Sequence, residues 1–187
     1  MLAKILAKRL QIVLPNIICQ YQHGFIVNRF IGCNIRLIED VINYTKTMNV
    51  DGAIIFLDFK KAFDTINWKS MFYILGKFGF KTSFIRWVKL LYSNVTSTIS
   101  NNGWLSVPFN ISRGIRQGCP LSALLFVIVA EMLAINIRSS QNIQGIEVKS
   151  QTTPHCIKIC QLADDTTLFL KDENDIIESL RIVDVIA

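Results

Sequence analysis

Two short apolar runs that lead into aspartates constrain this chain most. Ala53–Leu57 (AIIFL) is continuous, with Asp51-Gly52 before it and Asp58 directly after it. A run this short, apolar on both faces and fenced by a turn, reads as a central strand covered on each side. The second run is divided: residues 156–162 (CIKICQL) and 166–170 (TTLFL) flank Ala163-Asp164-Asp165 and read as a hairpin. Both pieces are too apolar for solvent loops, so a sheet is expected with carboxylates at one of its ends.

Helical spacing fills much of the remainder. Leu2, Ile5, Leu6, Leu10, Val13 and Leu14 recur at helical intervals until Pro15, where the pattern is expected to stop. Ile35, Ile38, Val41 and Ile42 mark a second helix, ended by Asp51-Gly52. Trp68, Met71, Phe72, Leu75 and Phe78 mark a third, closed by Gly79, and residues 84–92 a fourth behind a Thr82 cap. Asn101-Asn102-Gly103 between β-prone segments is a hairpin signal covering about 95–111. Pro120 opens an apolar helix to about Arg138, and Ile176, Ile177, Leu180 and Val183 form a last one, still amphipathic at Ala187. Hairpin-paired strands with helices collected on one face give an α+β architecture.

Composition narrows the function classes. The chain has 187 residues, 51% of them hydrophobic, which excludes a disordered chain. Its longest unbroken apolar run, residues 123–130, is far short of the roughly 20 residues of a membrane span, so no membrane partner is expected. Lys4, Lys8 and Arg9 interrupt any signal-peptide core. An intracellular protein, nuclear or cytoplasmic and not secreted, is expected, with its five cysteines reduced and buried as small apolar residues. Residues 1–100 carry 13 Lys and Arg against 5 Asp and Glu, whereas residues 101–187 carry 7 against 9. A basic front half suits a polyanion such as nucleic acid, although charge alone is met more readily by an ordinary solvated surface.

The aspartates carry the chemistry. If the strand before Asp58 and the hairpin at Asp164-Asp165 are sheet neighbours, three carboxylates converge, and crowded like charges call for cations. Hard oxygen donors suit Mg²⁺, and a pair of such ions serves in-line phosphoryl displacement. An Asp-Asp turn also arises for purely structural reasons, through capping of backbone amides.

Four ordered segments then decide the matter. FLDFKKAFD (56–64), GIRQGCPLSALLF (114–126) and LADDTTLF (162–169) resemble motifs A, B and C of reverse transcriptases, and QHGFIVNR (22–29) followed by IGCNI resembles the upstream fingers motif of the LINE-type, non-LTR retrotransposon branch. The resemblance covers nearly the whole chain. It implies a right-hand polymerase palm with partial fingers: residues 1–52 as fingers, 53–187 as palm with a fingers/palm hairpin, and no thumb, endonuclease or zinc-knuckle region. It implies RNA-directed DNA synthesis, with an RNA template, a DNA primer and dNTP as partners and two Mg²⁺, or Mn²⁺ in substitution, as cofactors.

By the same resemblance Asp58, Asp164 and Asp165 are the catalytic metal-site aspartates, Asp165 being the weaker ligand or a structural support, and the Phe59 carbonyl is a further ligand. Phe63 stands where the family places an aromatic gate against a 2′-OH, though core packing accounts for the same residue. Gln117 and Gly118 abut the nucleotide. Arg29, Arg113 and Arg116 are phosphate or template candidates, or plain loop charges. Asp64 is expected to cap a helix and Glu131 to lie on a polar helix edge without a role. Leu162 and Cys33 depart from the family's usual Tyr or Phe and Asp. Two other readings stay open: a nucleic-acid-binding remnant that does not polymerise, and a related palm enzyme such as an intron maturase or telomerase.

Overall fold

In the computed structural model, residues 1–149 and 154–186 are described. Helices α1 (Leu2–Ile17) and α2 (Gly32–Met48) precede strand β1 (Ala53–Leu57). Helices α3 (Ala62–Thr65), α4 (Trp68–Lys77) and α5 (Thr82–Leu91) follow. A hairpin of two rungs comes next: β2 (Thr96–Ser97) pairs with β5 (Phe109–Asn110), and β3 (Ser100–Asn101) with β4 (Trp104–Leu105). Helix α6 (Ser122–Ser139), strands β6 (Ile146–Lys149), β7 (Pro154–Ile157), β8 (Ile159–Leu162) and β9 (Asp165–Leu170), and helix α7 (Glu173–Ile186) complete the order.

The main sheet is antiparallel in the order β1-β9-β8. Most of its apolar side chains alternate between two cores, which is why residues 53–57 and 168–170 read as short apolar runs. Leu168 and Leu170 of β9, with Ile159, join Leu133, Ala134 and Ile137 of α6 and Val183 of α7 on one face. Phe169 and Cys160 join Val41 of α2, Ile146 and Ile157 on the other. The α+β class holds, but helices cover both faces rather than one. Among the described residues β1 pairs only with β9, so it is an edge strand and not a central one, and Phe56 is 69% exposed.

Among the described residues, helix α6 is by length and composition alone apolar enough to cross a bilayer, although its longest unbroken apolar run is short. Burial explains its composition. Leu124, Leu125, Phe126, Val127 and Ile128 sit in the largest core with α1, α4 and α5, and Leu133 and Ile137 in the next. A helix that packs against neighbours over most of its circumference is apolar over most of it. Glu131 is within this core, 1% exposed and paired with Arg138 at 2.5 Å, so the expectation of a polar edge fails.

Other differences have local causes. Helix α1 continues past Pro15 to Ile17, because a proline near a C-terminus forfeits one hydrogen bond and the Arg29 guanidinium takes up the end carbonyls of Pro15 and Ile18. Helix α2 ends earlier than expected, at Asn49 in the left-handed region. Asn67 caps α4 by accepting from the Lys69 and Ser70 N–H groups, the task expected of Asp64, and Lys81 rather than Thr82 holds the N-cap position of α5. Residues 156–162 divide at Lys158, so β7 pairs with the unanticipated β6 and β8 with β9. All five cysteines are free. Cys160 is buried, its thiol pushed up to about 11 by desolvation, whereas Cys33 and Cys156 are exposed, not buried as expected.

Asp175, 1% exposed, fastens α7 to the rest. Its carboxylate accepts from the Gln144, Gly145 and Lys171 N–H groups at 2.8 to 2.9 Å. Burial alone would raise its pKa, but these donors outweigh burial and hold it below the ordinary carboxylate value. A depressed folded pKa contributes stability above the unfolded pKa and loses it as pH falls through the folded one. Asp175→Ala should therefore cost about 2–3 kcal/mol at neutral pH, and the difference from wild type should shrink in urea unfolding at acid pH.

Candidate active site

β1 and β9 bring the sequence-predicted aspartates to one end of the sheet. The last rung pairs Leu57 with Thr166, so one step further along β1 sets Asp58 across from Asp165. Asp164 follows Ala163 in the two-residue turn between Leu162 and Asp165. Asp58 and Asp165 are exposed, while Asp164 is half-buried and lines a cleft of about 310 Å³ with Phe59, Lys60, Phe126 and Gln161. Among the described residues, no three His, Cys, Asp or Glu side chains draw together as a ready metal cage. The fit to a divalent cation is one of donor chemistry and backbone placement: three carboxylates on adjacent strand ends, the hard oxygen ligands such ions take. The Phe59 carbonyl accepts from the Ala62 N–H at 3.2 Å, which leaves one lone pair.

Phe63 sits half-buried between three parts of the chain. Its ring stacks on Phe126 of α6 at 4.5 Å and 6°, and meets Phe25 edge-on at 6.4 Å and 81°. Its carbonyl accepts from Ile115 N–H at 2.8 Å, which docks the 114–118 loop onto α3. The neighbouring Gly114 N–H donates to Ile66, and Gly114 accepts from the Trp68 indole at 2.6 Å.

Gly114 and Gly118 both have positive φ, +83° and +78°, but their surroundings differ. A Cβ at Gly114 would lie 2.9 Å from the Asp64 carbonyl oxygen, whereas one at Gly118 meets nothing within 4 Å. Gly114→Ala should therefore cost about 2–4 kcal/mol, from left-handed strain plus displaced backbone, and Gly118→Ala only about 1 kcal/mol. Chemical denaturation of the two variants distinguishes them.

Gln117 and Gly118 are exposed on this loop, as are Arg113 and Arg116. The two arginines line a cleft of about 550 Å³ together with Asp64, Trp68, Tyr92 and Asn110. Arg29 is placed elsewhere. Its two terminal nitrogens donate to the carbonyls of Pro15, Ile18, Cys19 and Gln22, so its side chain is occupied in tying α1 to the 20–24 segment. Phe25 and Phe126, the partners of Phe63, went unassigned in the sequence, as did Gln22 and Gly24, which touch the aspartate turn. Their only signal was membership of the segments 22–29 and 114–126.

Comparison with known proteins bears on the family and the fold. A transposon TX1 protein of Xenopus laevis, described as an uncharacterized 149 kDa protein, is 28% identical over 174 residues, 93% of this chain and 13% of its own length. The Pol polyprotein of retrotransposable element R2DM of Drosophila melanogaster is 28% identical over 79% of this chain and 13% of its own length. That of a type-1 element R2 of Popillia japonica is 28% identical over 95% and 24%. The chain thus spans a quarter or less of these relatives. In fold it is similar to an apo telomerase of Candida tropicalis, with a TM-score of 0.59 and 14% identity over 99% of this chain and 36% of that one. The motif order, the strand pairing at the aspartates and the fold point the same way as the family model that matches residues 1–187: the chain belongs to the reverse transcriptase (RNA-dependent DNA polymerase) family.

Proposed function

We propose that this chain is the palm and adjoining fingers of a LINE-type, non-LTR retrotransposon reverse transcriptase, with residues 1–52 contributing to the fingers and 53–187 to the palm. The reaction joins a primer 3′-OH to the α-phosphorus of a dNTP on an RNA template and releases pyrophosphate. The observation that carries the reading is the β1–β9 register, with Leu57 opposite Thr166 and aspartates at the adjoining positions.

In this reading Asp58, Asp164 and Asp165, with the Phe59 carbonyl, hold two Mg²⁺. When bound, those ions activate the attacking oxygen and stabilise the leaving one. The chain's own groups supply position: Phe63 presses against the sugar, Gln117 and the open backbone at Gly118 face the base pair, and Arg113 and Arg116 offer guanidinium forks to phosphate. Positioning and electrostatics do most of the work in such transfers.

Thermal unfolding of the 187-residue chain with and without Mg²⁺ tests the metal reading. An ion that binds only the folded state at 100 times its Kd stabilises by about 2.7 kcal/mol, so the wild-type melting temperature should rise with Mg²⁺ and that of Asp164→Ala should not. A wild-type melting curve indifferent to Mg²⁺ would contradict it.

A further inference from the structure

The turn that carries Asp164 and Asp165 is held from outside the palm sheet. Gln22, 1% exposed, reaches it from 141 residues away. Its Oε1 accepts from the Ala163 N–H at 2.9 Å and from the Gly24 N–H at 2.8 Å, and its Nε2 donates to the Ala163 carbonyl at 3.3 Å. Both backbone groups of Ala163 therefore end on one carboxamide.

The surroundings make this contact a bracket. Ala163 has φ +58°, a conformation that a residue with a Cβ keeps only when its neighbours over-determine it. A Cβ added to Gly24 would lie 2.3 Å from the Ala163 nitrogen, so the segment closes directly on the turn. Behind the carboxamide the segment is fastened at each residue. Tyr21 accepts from Gln161 N–H, His23 donates to the Gln161 carbonyl, and the Gln22 carbonyl accepts from Arg29. Asn34 of α2 donates to the same Gln161 carbonyl at 2.8 Å. A hydrophobic side chain at position 22 would fill the space and leave the Ala163 N–H unpaired in a buried place, where the turn gains by shifting to find a new partner.

We propose that Gln22 is a positioning residue for Asp164 and Asp165: by clamping Ala163 it fixes where the two carboxylates stand relative to Asp58. The proposal rests on the metal reading above. It assigns the 22–24 segment a task in the palm, and gives Arg29 its reason for lying against that segment.

Mn²⁺ binding to the 187-residue chain, followed by loss of the free-ion EPR signal, tests it without any turnover. Gln22→Met keeps length and volume but neither accepts nor donates as a carboxamide does, and Gln22→Asn keeps the polar group but shortens its reach. Asp175→Ala is the control, a destabilised chain altered at the opposite end of β9. With folding verified by circular dichroism, both Gln22 variants should bind Mn²⁺ at least fivefold more weakly than wild type, and Asp175→Ala should bind as wild type does. Wild-type affinity in a folded Gln22 variant would overturn the positioning role and leave Gln22 a buried hydrogen-bonding residue. An equal loss in Asp175→Ala would overturn it too, since general destabilisation then explains the effect. If wild type and Asp164→Asn bind Mn²⁺ alike, the metal reading fails first, and this inference with it.

Discussion

Asp58→Asn and Asp164→Asn, placed in a polymerase that contains this chain, are each expected to lower dNMP incorporation on an RNA template by about a thousandfold or more while leaving the fold in place. Asparagine keeps the size and one oxygen of aspartate but not its charge. Both positions are at least partly open to solvent, so no buried partner is orphaned by the change. What is lost is the electrostatic hold on divalent ions, whose contribution of several kcal/mol to transition-state stabilisation converts to about three powers of ten. Circular dichroism and single-nucleotide primer extension on the same samples check both halves. Activity within tenfold of wild type would remove these carboxylates from the chemistry.

The second large effect belongs to Phe63. One face of its ring is stacked on Phe126 and its surroundings include Phe25, so part of its role is packing. Half-burial sets the cost of Phe63→Ala below the 3–5 kcal/mol of a fully buried phenylalanine; about 2–3 kcal/mol is expected, part of it the aromatic pair itself. The stack also fixes the ring plane, and a fixed flat wall is what a pocket needs to reject a 2′-hydroxyl. The same variant in the polymerase should therefore begin to incorporate rNTPs while still incorporating dNTPs. Destabilisation with unaltered sugar selectivity would make Phe63 a packing residue only, and the aspartates would stand without it.

The parts legible in the sequence are those with a local signature. β1 and the second half of β9 announce themselves by short apolar runs, because Ile54 and Phe169 pack into one core while Ile55, Leu57, Leu168 and Leu170 pack into the other. The 95–111 hairpin does so through Asn102 and Gly103, both in the left-handed conformation that its turn requires. The aspartate ends follow directly from the strands. What escaped is fixed by distant contacts. Pro15 reads as a stop until Arg29 takes up the carbonyls beyond it, and Glu131 reads as surface until Arg138 pairs with it inside the core. β1 looks central because Ile54, Ile55 and Leu57 are covered by helices, yet no strand lies on its outer side among the described residues. Gln22 has no periodicity at all, since its significance lies in an alanine 141 residues on.

The most direct measurement of the central claim is iron-mediated backbone cleavage. Fe²⁺ substituted for Mg²⁺, with ascorbate and peroxide, generates radicals that cut the chain beside the ion. Mass spectrometry should find cuts at 58–59 and at 163–165, on the two adjoining strand ends, suppressed by excess Mg²⁺ and lost in Asp164→Asn. Cuts confined to other segments, or a pattern unchanged in Asp164→Asn, would contradict the assignment of the metal site to this end of the sheet.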